Sequence, residues 1–516
     1  MLNEEQYRIV TEDKEKNILV LACAGAGKTL TIIHRMEFLI KSGIKYDEIL
    51  VTTFTRHATL KMKNMINEIL KTDKIKIATI DSICSSIISK KKEKTDKEDT
   101  NFDNEKYNLN YDKIMENKRK LDEIAKGQLC NKIRIHEDNM DGREKRKMIQ
   151  VDMIELCNIE ELEKMLEEKK EEKKEEKKEE KKEGKEKEIW KKEMNTVENR
   201  KREKEEKIKR NIEECCKDLE EKRMGILKNI KYVFIDEYQD INEIQNRFFN
   251  LLWKNGIKIM AVGDHLQSIY GFRSASNKYL NMFSEEFKPC KTHILNINYR
   301  STSEIVLFAN NIFPELENKM IANNKTPGCK PNINLYPDIK THNNNIISEI
   351  KKYINNGSIS YGDIAILCRN KKPLTDIQTW LYNAKIPYQL LSDDDNPQSE
   401  LQKSKLCLST IHRSKGLEWK LVFIIFCHDK IFPSPKSFIS DSFEEEKRLF
   451  YVACTRSLFY LNFTIIPIFN DSTISRFISS IPSSLYSFHK HTKIPSRSHF
   501  SSSLFSNFSS CYSNFQ

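Results

Sequence analysis

The chain has 516 residues, enough for three or four domains, and its 87 Lys and Arg against 76 Asp and Glu give a net charge of +11. This net charge is compatible with a polyanionic partner. The 38% of hydrophobic residues are enough for hydrophobic cores, whereas the 32% of charged residues indicate that part of the chain does not pack into a core. No apolar run approaches the roughly 20 residues of a membrane span, the N-terminus lacks a signal-peptide layout, and 13 scattered cysteines include no CxxC pair. Secreted, membrane-spanning and collagen-like proteins are therefore excluded, and we expect an intracellular protein with reduced thiols and no membrane partner.

The first 89 residues alternate apolar strands with helices. Buried strands are predicted at Asn17–Cys23, Ile49–Phe54 and Ile75–Thr79, because each is a continuous apolar or β-branched run. Helices are predicted at Lys28–Ile40 and Ala58–Leu70. This alternation predicts an α/β fold with a parallel sheet and right-handed crossovers.

Residues 90–228 have a different composition, dominated by Lys, Glu, Asn and Asp. They include Glu167–Glu188, a repeat that holds 11 Glu and 10 Lys. Its four-residue period places like charges at i,i+4, which weakens a helix. We expect a charged low-complexity insertion, helical or disordered, without chemistry of its own.

Globular patterning returns after the insertion. Apolar runs predict strands at Tyr232–Asp236, Ile257–Val262, His293–Ile297, Ile364–Cys368, Leu406–Thr410, Leu421–Cys427 and Tyr460–Ile466. Residues 471–516 contain 16 Ser in 46 positions and no catalytic pattern. That tail is therefore expected to be disordered.

The segment Ala22-Cys23-Ala24-Gly25-Ala26-Gly27-Lys28-Thr29 follows a predicted strand and opens a predicted helix. Its small residues let successive backbone N–H groups close around phosphates. Lys28 would reach the β- and γ-phosphates of a nucleotide, and the Thr29 hydroxyl would ligate Mg²⁺. A Gly-rich turn without a ligand is the alternative, which the flanking strand and helix disfavour.

A phosphate loop needs polar partners at the ends of neighbouring strands. Asp236 and Glu237 follow a strand directly, so that Asp236 would hold Mg²⁺ and Glu237 would orient and deprotonate the attacking water. Gln267 follows the next strand and suits sensing of the γ-phosphate. For the acidic pair, a solvated turn is the alternative.

Aromatic and cationic residues complete the set of candidates. Tyr270 and Phe272 offer stacking faces in a loop where such residues are common. Arg300 and Arg456 could each present a cation to the γ-phosphate, as arginine fingers do. For an isolated arginine, a surface salt bridge is the commoner role.

In chain order, these segments resemble the motifs of the UvrD/Rep-type superfamily 1 DNA helicases. The similarity covers nearly all of residues 1–89 and 230–466. Phe272 stands where the family has Trp, whereas Ala22 agrees with the family's own phosphate loop. The motifs are Leu2–Gln6, Ala22–Thr29, Thr53–Thr55, Thr79–Ser82, Asp236–Asp240, Gly263–Arg273, Asn298–Thr302, Thr410–Trp419 and Glu446–Arg456.

The resemblance implies a role for individual residues. ATP and Mg²⁺ would lie between two RecA-like domains, with Gln6 reading adenine, Tyr299 packing on it, and Arg300 meeting the γ-phosphate. Glu418 and Arg456 would complete the nucleotide site. Single-stranded DNA would cross the tops of both sheets at Phe54, Thr55, Thr79, Tyr270, Phe272, Arg273 and His412.

The resemblance also implies a domain order. Only 36 residues separate Arg369 from Leu406, so the family's second accessory subdomain is expected to be largely absent. The insertion lies where the family has its first accessory subdomain. The predicted domains are a first RecA-like ATPase domain at 1–89 and 229–295, the charged insertion at 90–228, a second RecA-like domain at 296–466 and a Ser-rich tail at 467–516.

The function implied is that of an ATP-dependent 3′-to-5′ DNA helicase that translocates on single-stranded DNA and unwinds tailed duplex DNA, in repair, recombination or replication. The short second insert favours an alternative, a DNA-stimulated ATPase that moves along single strands or strips proteins from them without unwinding. A DNA-binding scaffold without ATP turnover is disfavoured because all the catalytic candidates are present. We expect the protein to act in the nucleus of a eukaryote, or otherwise in the cytoplasm.

Overall fold

The structure, a computed structural model, describes residues 2–95, 199–200, 202–271, 277–323, 328–391, 403–438, 442–466 and 474–492. Phe272, Arg273 and the repeat Glu167–Glu188 lie outside the described residues. The chain divides into two compact units, one of residues 1–88 and 209–516, the other of residues 89–208. The sheets and the candidate site belong to the first unit.

The first sheet has six strands, all parallel, in the order β3-β2-β4-β5-β1-β6. Its central strands are buried on both faces, which explains their continuous apolar runs. The α/β prediction with a parallel sheet is confirmed. The strands are β1 Asn17–Ala22, β2 Ile49–Thr52, β3 Lys76–Ala78, β4 Tyr232–Ile235, β5 Lys258–Gly263 and β6 Cys290–Leu295.

Helices connect these strands, as parallel pairing requires. Helix α1 begins with a capping box in which Asn3 and Gln6 satisfy each other's backbone N–H groups. No helix among the described ranges is long and apolar enough to cross a membrane. The helices are α1 Glu4–Val10, α2 Lys28–Lys41, α3 Arg56–Leu70, α4 Ile80–Thr95, α5 202–220, α6 Glu243–Lys254 and α7 Asn277–Glu286.

The second sheet has seven strands, also parallel, in the order β11-β12-β10-β13-β14-β9-β15. A two-stranded pair, β7 Ile297–Asn298 and β8 Ile321–Ala322, lies in the chain between the two sheets. The seven strands are β9 Asn332–Leu335, β10 Ile364–Cys368, β11 Tyr388–Leu390, β12 Leu406–Thr410, β13 Trp419–Ile425, β14 Ser457–Ile465 and β15 Ser487–Lys490. The helices are α8 Ser303–Asn310, α9 Ile339–Asn355, α10 Lys372–Asn383, α11 Phe443–Cys454 and α12 Arg476–Ser479.

Part of the predicted insertion belongs to the globular unit. Ile212, Cys216 and Leu219 of α5 are buried, and the Cys215 thiol donates to the Cys84 carbonyl oxygen of α4 at 3.6 Å. These apolar positions recur at helical spacing among charged residues. The prediction missed them because it rested on the overall composition of residues 90–228. Ordered structure therefore begins before residue 229.

The predicted disorder of the tail is wrong for residues 474–492. Strand β15 pairs with β9 and extends the second sheet. Phe477 of α12 is buried against Phe432 and Phe450, and the buried Ser475 hydroxyl donates to the Phe432 carbonyl oxygen at 2.6 Å. A few apolar anchors thus order a segment whose serine content is typical of disorder.

We expect Phe477→Ala to destabilise the protein by about 3 kcal/mol, because it removes a buried aromatic ring and leaves a cavity. Phe488→Ala is the matched control, since Phe488 in β15 is 47% exposed and should cost less than 1 kcal/mol. Denaturant unfolding of both variants measures the difference. Equal stabilities would mean that α12 does not contribute to the core.

Candidate nucleotide and DNA site

The candidate residues gather because parallel strands deliver their carboxyl ends to one edge of the sheet. Strand β1 ends at the phosphate-loop segment, β4 at Asp236, and β5 just before Asp264. These three strands are neighbours in the order β4-β5-β1. Strands β2 and β3 end at the same edge, just before Thr53 and Thr79, so nucleotide and DNA candidates share one edge.

The segment Ala22–Thr29 has the backbone of an anion-binding loop. Gly25 and Gly27 have φ angles of 69° and 77°, and Gly27 precedes the first residue of α2. A side chain at either position would be strained in this left-handed region. Lys28 and Thr29 begin α2, so its free N–H groups and positive dipole end face the loop. The Lys28 Nζ donates to the Cys23 carbonyl oxygen at 3.2 Å.

The residues after β6 pack directly on this loop. The Asn298 side chain donates to the Ala24 carbonyl oxygen at 2.7 Å, and the Tyr299 N–H donates to the Gly25 carbonyl oxygen at 3.0 Å. A Cβ on Gly25 would lie only 2.7 Å from the Cβ of Arg300. Gly25 is therefore required both by its φ angle and by the close approach of this segment.

Asp236 and Glu237 are half-buried, and their surroundings separate their pKa values. Burial, together with the neighbouring Glu237 charge, raises the pKa of Asp236 to about 7. Burial also opposes ionisation of Glu237, but the charges of Lys415 and Lys28 outweigh it and lower the pKa of Glu237 to about 2. Glu237 is thus the ionised member of the pair at neutral pH.

Lys415 is an important residue to which the sequence analysis assigned no role. It lies after β12 and forms an ion pair with the buried Asp240, while its Nζ donates to the Gln267 carbonyl oxygen at 2.6 Å and lies 3.7 Å from the Glu237 carboxylate. The same Nζ lies 5.2 Å from the centre of the Tyr270 ring. Apart from the place of Lys415 in the motif Thr410–Trp419, nothing in the sequence around it indicated this role.

Arg456 is a second link between the two sheets. It follows α11, is buried, and donates to the Gln267 Oε1 at 3.2 Å, while Gln267 donates to Asp264 at 2.7 Å. Burial and the nearby Arg300 charge lower the pKa of Arg456 to about 9. Gln267 and Arg456 are therefore in direct contact, while the roles at the γ-phosphate assigned to them from the sequence stay predictions.

Arg300 lies beside the phosphate loop and contacts the second sheet. Its Nε donates to Glu418 at 2.7 Å and its Nη1 donates to the Thr455 carbonyl oxygen at 3.1 Å. Burial opposes ionisation of Glu418, yet the Arg300 charge keeps the pKa of that carboxyl below its usual range. Arg300 is thus close to Arg456, and the charges of Arg456 and Lys28 both act on Glu237.

The DNA candidates form a shallow site at the ends of β2 and β3. A depression there is lined by Thr53, Phe54, Thr79, Asp236 and Glu237, among others. Thr55 caps α3 by accepting the Ala58 N–H at 3.1 Å, and the Thr79 hydroxyl accepts the Ser82 N–H at 3.3 Å. Both threonines therefore also have local structural roles.

The aromatic candidates join this site to the second sheet. The Phe54 and Tyr270 rings stack with centroids 5.2 Å apart. The Tyr270 hydroxyl donates to the His412 carbonyl oxygen at 3.2 Å. Phe54, Tyr270 and His412 thus form one continuous group.

The fold and the arrangement of these residues define a P-loop protein with two parallel sheets. The chain matches the UvrD/REP helicase N-terminal domain over residues 2–288 and the UvrD-like helicase C-terminal domain over residues 293–395 and 389–467. It belongs to the UvrD-like helicase family, a family of ATP-dependent DNA helicases.

Curated relatives are similar over most of this chain. A probable DNA helicase of Mycoplasma pneumoniae is 25% identical over 89% of this chain and 82% of its own length. The ATP-dependent DNA helicase srs2 of Schizosaccharomyces pombe is 29% identical over 76% of this chain and 44% of its own length. PcrA of Leuconostoc citreum, also named an ATP-dependent DNA helicase, is 24% identical, with 76% and 50% covered. The chain spans about half the length of the last two.

We expect Lys415→Met to destabilise the protein by about 3 kcal/mol, because it leaves the buried Asp240 without its ion-pair partner. The loss should be larger at pH 8 than at pH 6, since burial already raises the pKa of Asp240 to about 7 and its protonation at lower pH removes the unpaired charge. Lys420→Met is the control, because the partly exposed Lys420–Asp363 pair should contribute at most about 1 kcal/mol. Urea unfolding at both pH values measures these effects; equal losses for the two variants would contradict the assignment.

Proposed function

We propose that this protein hydrolyses ATP to translocate 3′ to 5′ on single-stranded DNA and to unwind tailed duplex DNA. The observation that carries the proposal is that the charges of Lys28 and Arg456 act on the ionised Glu237, while Arg300 lies between the phosphate loop and Arg456. Three cations near one phosphate loop suit the γ-phosphate of a nucleotide. The 3′-to-5′ polarity rests on family resemblance alone.

The proposed nucleotide site uses residues from both sheets. Residues Ala22 to Thr29 would cradle the phosphates, Gln6 and Tyr299 would contact adenine, and Glu418 would hold Arg300 in place. Arg300 and Arg456 repel each other without a ligand, and a bound γ-phosphate would remove that repulsion. ATP binding would then draw the second sheet toward the first, and release of the products would reverse the movement.

The residues present suit a magnesium ion. Thr29, at the start of α2, and Asp236, directly after β4, are two protein groups that would offer it hard oxygen ligands. This fits an ion that is shared with substrate phosphates and keeps part of its water shell. When bound, Mg²⁺ would neutralise phosphate charge, while Glu237 would orient and deprotonate the attacking water.

The proposed DNA path follows the aromatic group. Phe54, Tyr270 and His412 would hold bases by stacking, worth about 1–3 kcal/mol per base. Thr55 and Thr79 would contact the backbone beside them. Phe272 and Arg273, which lie outside the described residues, stay predictions for the same path.

A translocase without unwinding activity is the second candidate. The 37 residues from Arg369 to Lys405 include α10 and β11, which leaves little room for a second accessory subdomain. Such a protein would strip bound proteins from single strands. The predicted domain bounds, the place in repair, recombination or replication, and the site of action in the nucleus or the cytoplasm remain part of this proposal.

We expect Lys28→Ala to lower ATP turnover at least 100-fold, because the phosphate loop would lose the cation that is placed to contact the β- and γ-phosphates. Single-stranded DNA binding should remain within about threefold of the wild type, since Lys28 is not on the proposed DNA path. Lys41→Ala, at the exposed end of the same helix, is the control. Steady-state hydrolysis and fluorescence anisotropy measure the two properties, and normal turnover by Lys28→Ala would refute the phosphate-loop assignment.

Strand release from a fluorescent duplex distinguishes the two candidate functions. Duplexes with a 3′ tail, a 5′ tail or blunt ends are incubated with the protein, ATP and Mg²⁺, and hydrolysis is followed in the same tube. DNA-stimulated turnover with release only from the 3′-tailed duplex supports the helicase. Stimulated turnover without release, together with displacement of streptavidin from a biotinylated single strand, supports the translocase.

A further inference from the structure

Asn3, which directly precedes helix α1, connects this helix to the candidate nucleotide site. Asn3 is the N-cap of α1: its Oδ1 accepts the Gln6 N–H at 2.7 Å, and its own N–H donates to the Gln6 Oε1 at 3.1 Å. Its side-chain Nδ2 also donates to the Tyr299 hydroxyl at 2.7 Å. Asn3 therefore contacts both Gln6 and Tyr299, which are 293 positions apart in the chain.

The capping box fixes which way the Gln6 amide faces. The Asn3 N–H can only donate, so the atom opposite it is the Gln6 oxygen. The Gln6 Nε2 donates to the Ala26 carbonyl oxygen of the phosphate loop at 3.3 Å, and a carbonyl can only accept. Both neighbours are backbone groups, and Gln6 is buried, so the amide cannot rotate without losing both bonds.

This arrangement leaves the Gln6 amide with one free acceptor position and one free N–H. Adenine presents an N–H donor and the N7 acceptor side by side, whereas guanine presents two acceptors there. The amide as it is held therefore complements adenine and opposes guanine. A rotated or mobile amide would lose this preference.

Tyr299 is the second group that Asn3 positions. Its ring is 43% exposed and lies next to the loop, through the hydrogen bond from its N–H to Gly25. An exposed aromatic ring beside a phosphate loop offers a face to a nucleotide base. The hydrogen bond from Asn3 to the Tyr299 hydroxyl restricts the ring before a base arrives.

We propose that Asn3 is a positioning residue for the nucleotide base, which holds the Gln6 amide for adenine selectivity and the Tyr299 ring for base affinity. The inference rests on the proposed ATP-dependent function. Asn3 makes two kinds of contact, and different substitutions remove them. One is the cap on Gln6, and the other is the hydrogen bond to Tyr299.

Asn3→Ser tests the bond to Tyr299 alone, because serine caps a helix as well as asparagine but is too short to reach the Tyr299 hydroxyl. We expect KM to rise about threefold for both ATP and GTP, with kcat and the preference for ATP unchanged, since stacking does not distinguish bases. Tyr299→Phe should give the same rise, and the double variant should show no further one. Additive effects of the two substitutions would overturn the link between these residues.

Asn3→Ala tests the cap: it removes the acceptor of the Gln6 N–H and so loosens the first turn, in which the remaining backbone N–H of residue 3 meets the Gln6 Oε1. We expect the ratio of kcat/KM for ATP to that for GTP to fall about fivefold, in line with the usual contribution of an N-cap. The matched control is Asn242→Ala, which removes the same Asn–Gln capping box from α6 and should leave the ratio unchanged. An unchanged ratio in Asn3→Ala, or an equal fall in Asn242→Ala, would overturn the proposal.

Equilibrium titration with fluorescent ATP and GTP accompanies the kinetics. A wild type that binds ATP but does not hydrolyse it would contradict the proposed function, while the binding ratios of the variants would still decide the role of Asn3. Thermal unfolding of each variant is measured in parallel. Since Asn3→Ser keeps the cap, its effect on affinity decides the role of Tyr299 even if Asn3→Ala proves unstable.

Discussion

Compensation of buried charge is the constraint on which the site depends. Asp236, Glu237 and Asp240 follow a strand into the interior, where isolated carboxylates would be too costly to ionise. Lys415, supplied by the second sheet, pairs with Asp240 and lies near Glu237. A lysine of the second sheet thus compensates the carboxylates at a strand end of the first sheet. The two sheets must therefore be in contact for these carboxylates to be ionised.

The same dependence holds at the phosphate loop. The left-handed backbone of Gly25 brings its carbonyl oxygen to the Tyr299 N–H, and Asn298 binds the neighbouring carbonyl of Ala24. Arg300 then lies between the loop and Glu418. These short connections join the phosphate loop to the second sheet, and the proposed ATP-driven movement of the two sheets depends on them.

Much of the fold could be predicted from the sequence because the central strands are buried on both faces. Strands β10 and β12 agree with the prediction to the residue, and most others differ by one to three positions at their ends. The strands at one side of the second sheet were harder to predict: β9 and the edge strand β15 are short and partly polar, so neither was predicted. Residues 474–492 escaped prediction because a few anchors such as Phe477 decide their order and the serines do not.

The sequence by itself determined the alternation of strands and helices, the phosphate loop, and the acidic pair at a strand end, because each depends on neighbours within a few residues. Only the tertiary structure decided which distant groups share a charge or a hydrogen bond. Lys415 with Asp240, Gln267 with Arg456, and Asn3 with Tyr299 are separated by more than 170 positions. Such pairs are set by strand order and by how the two sheets meet, which no local pattern encodes.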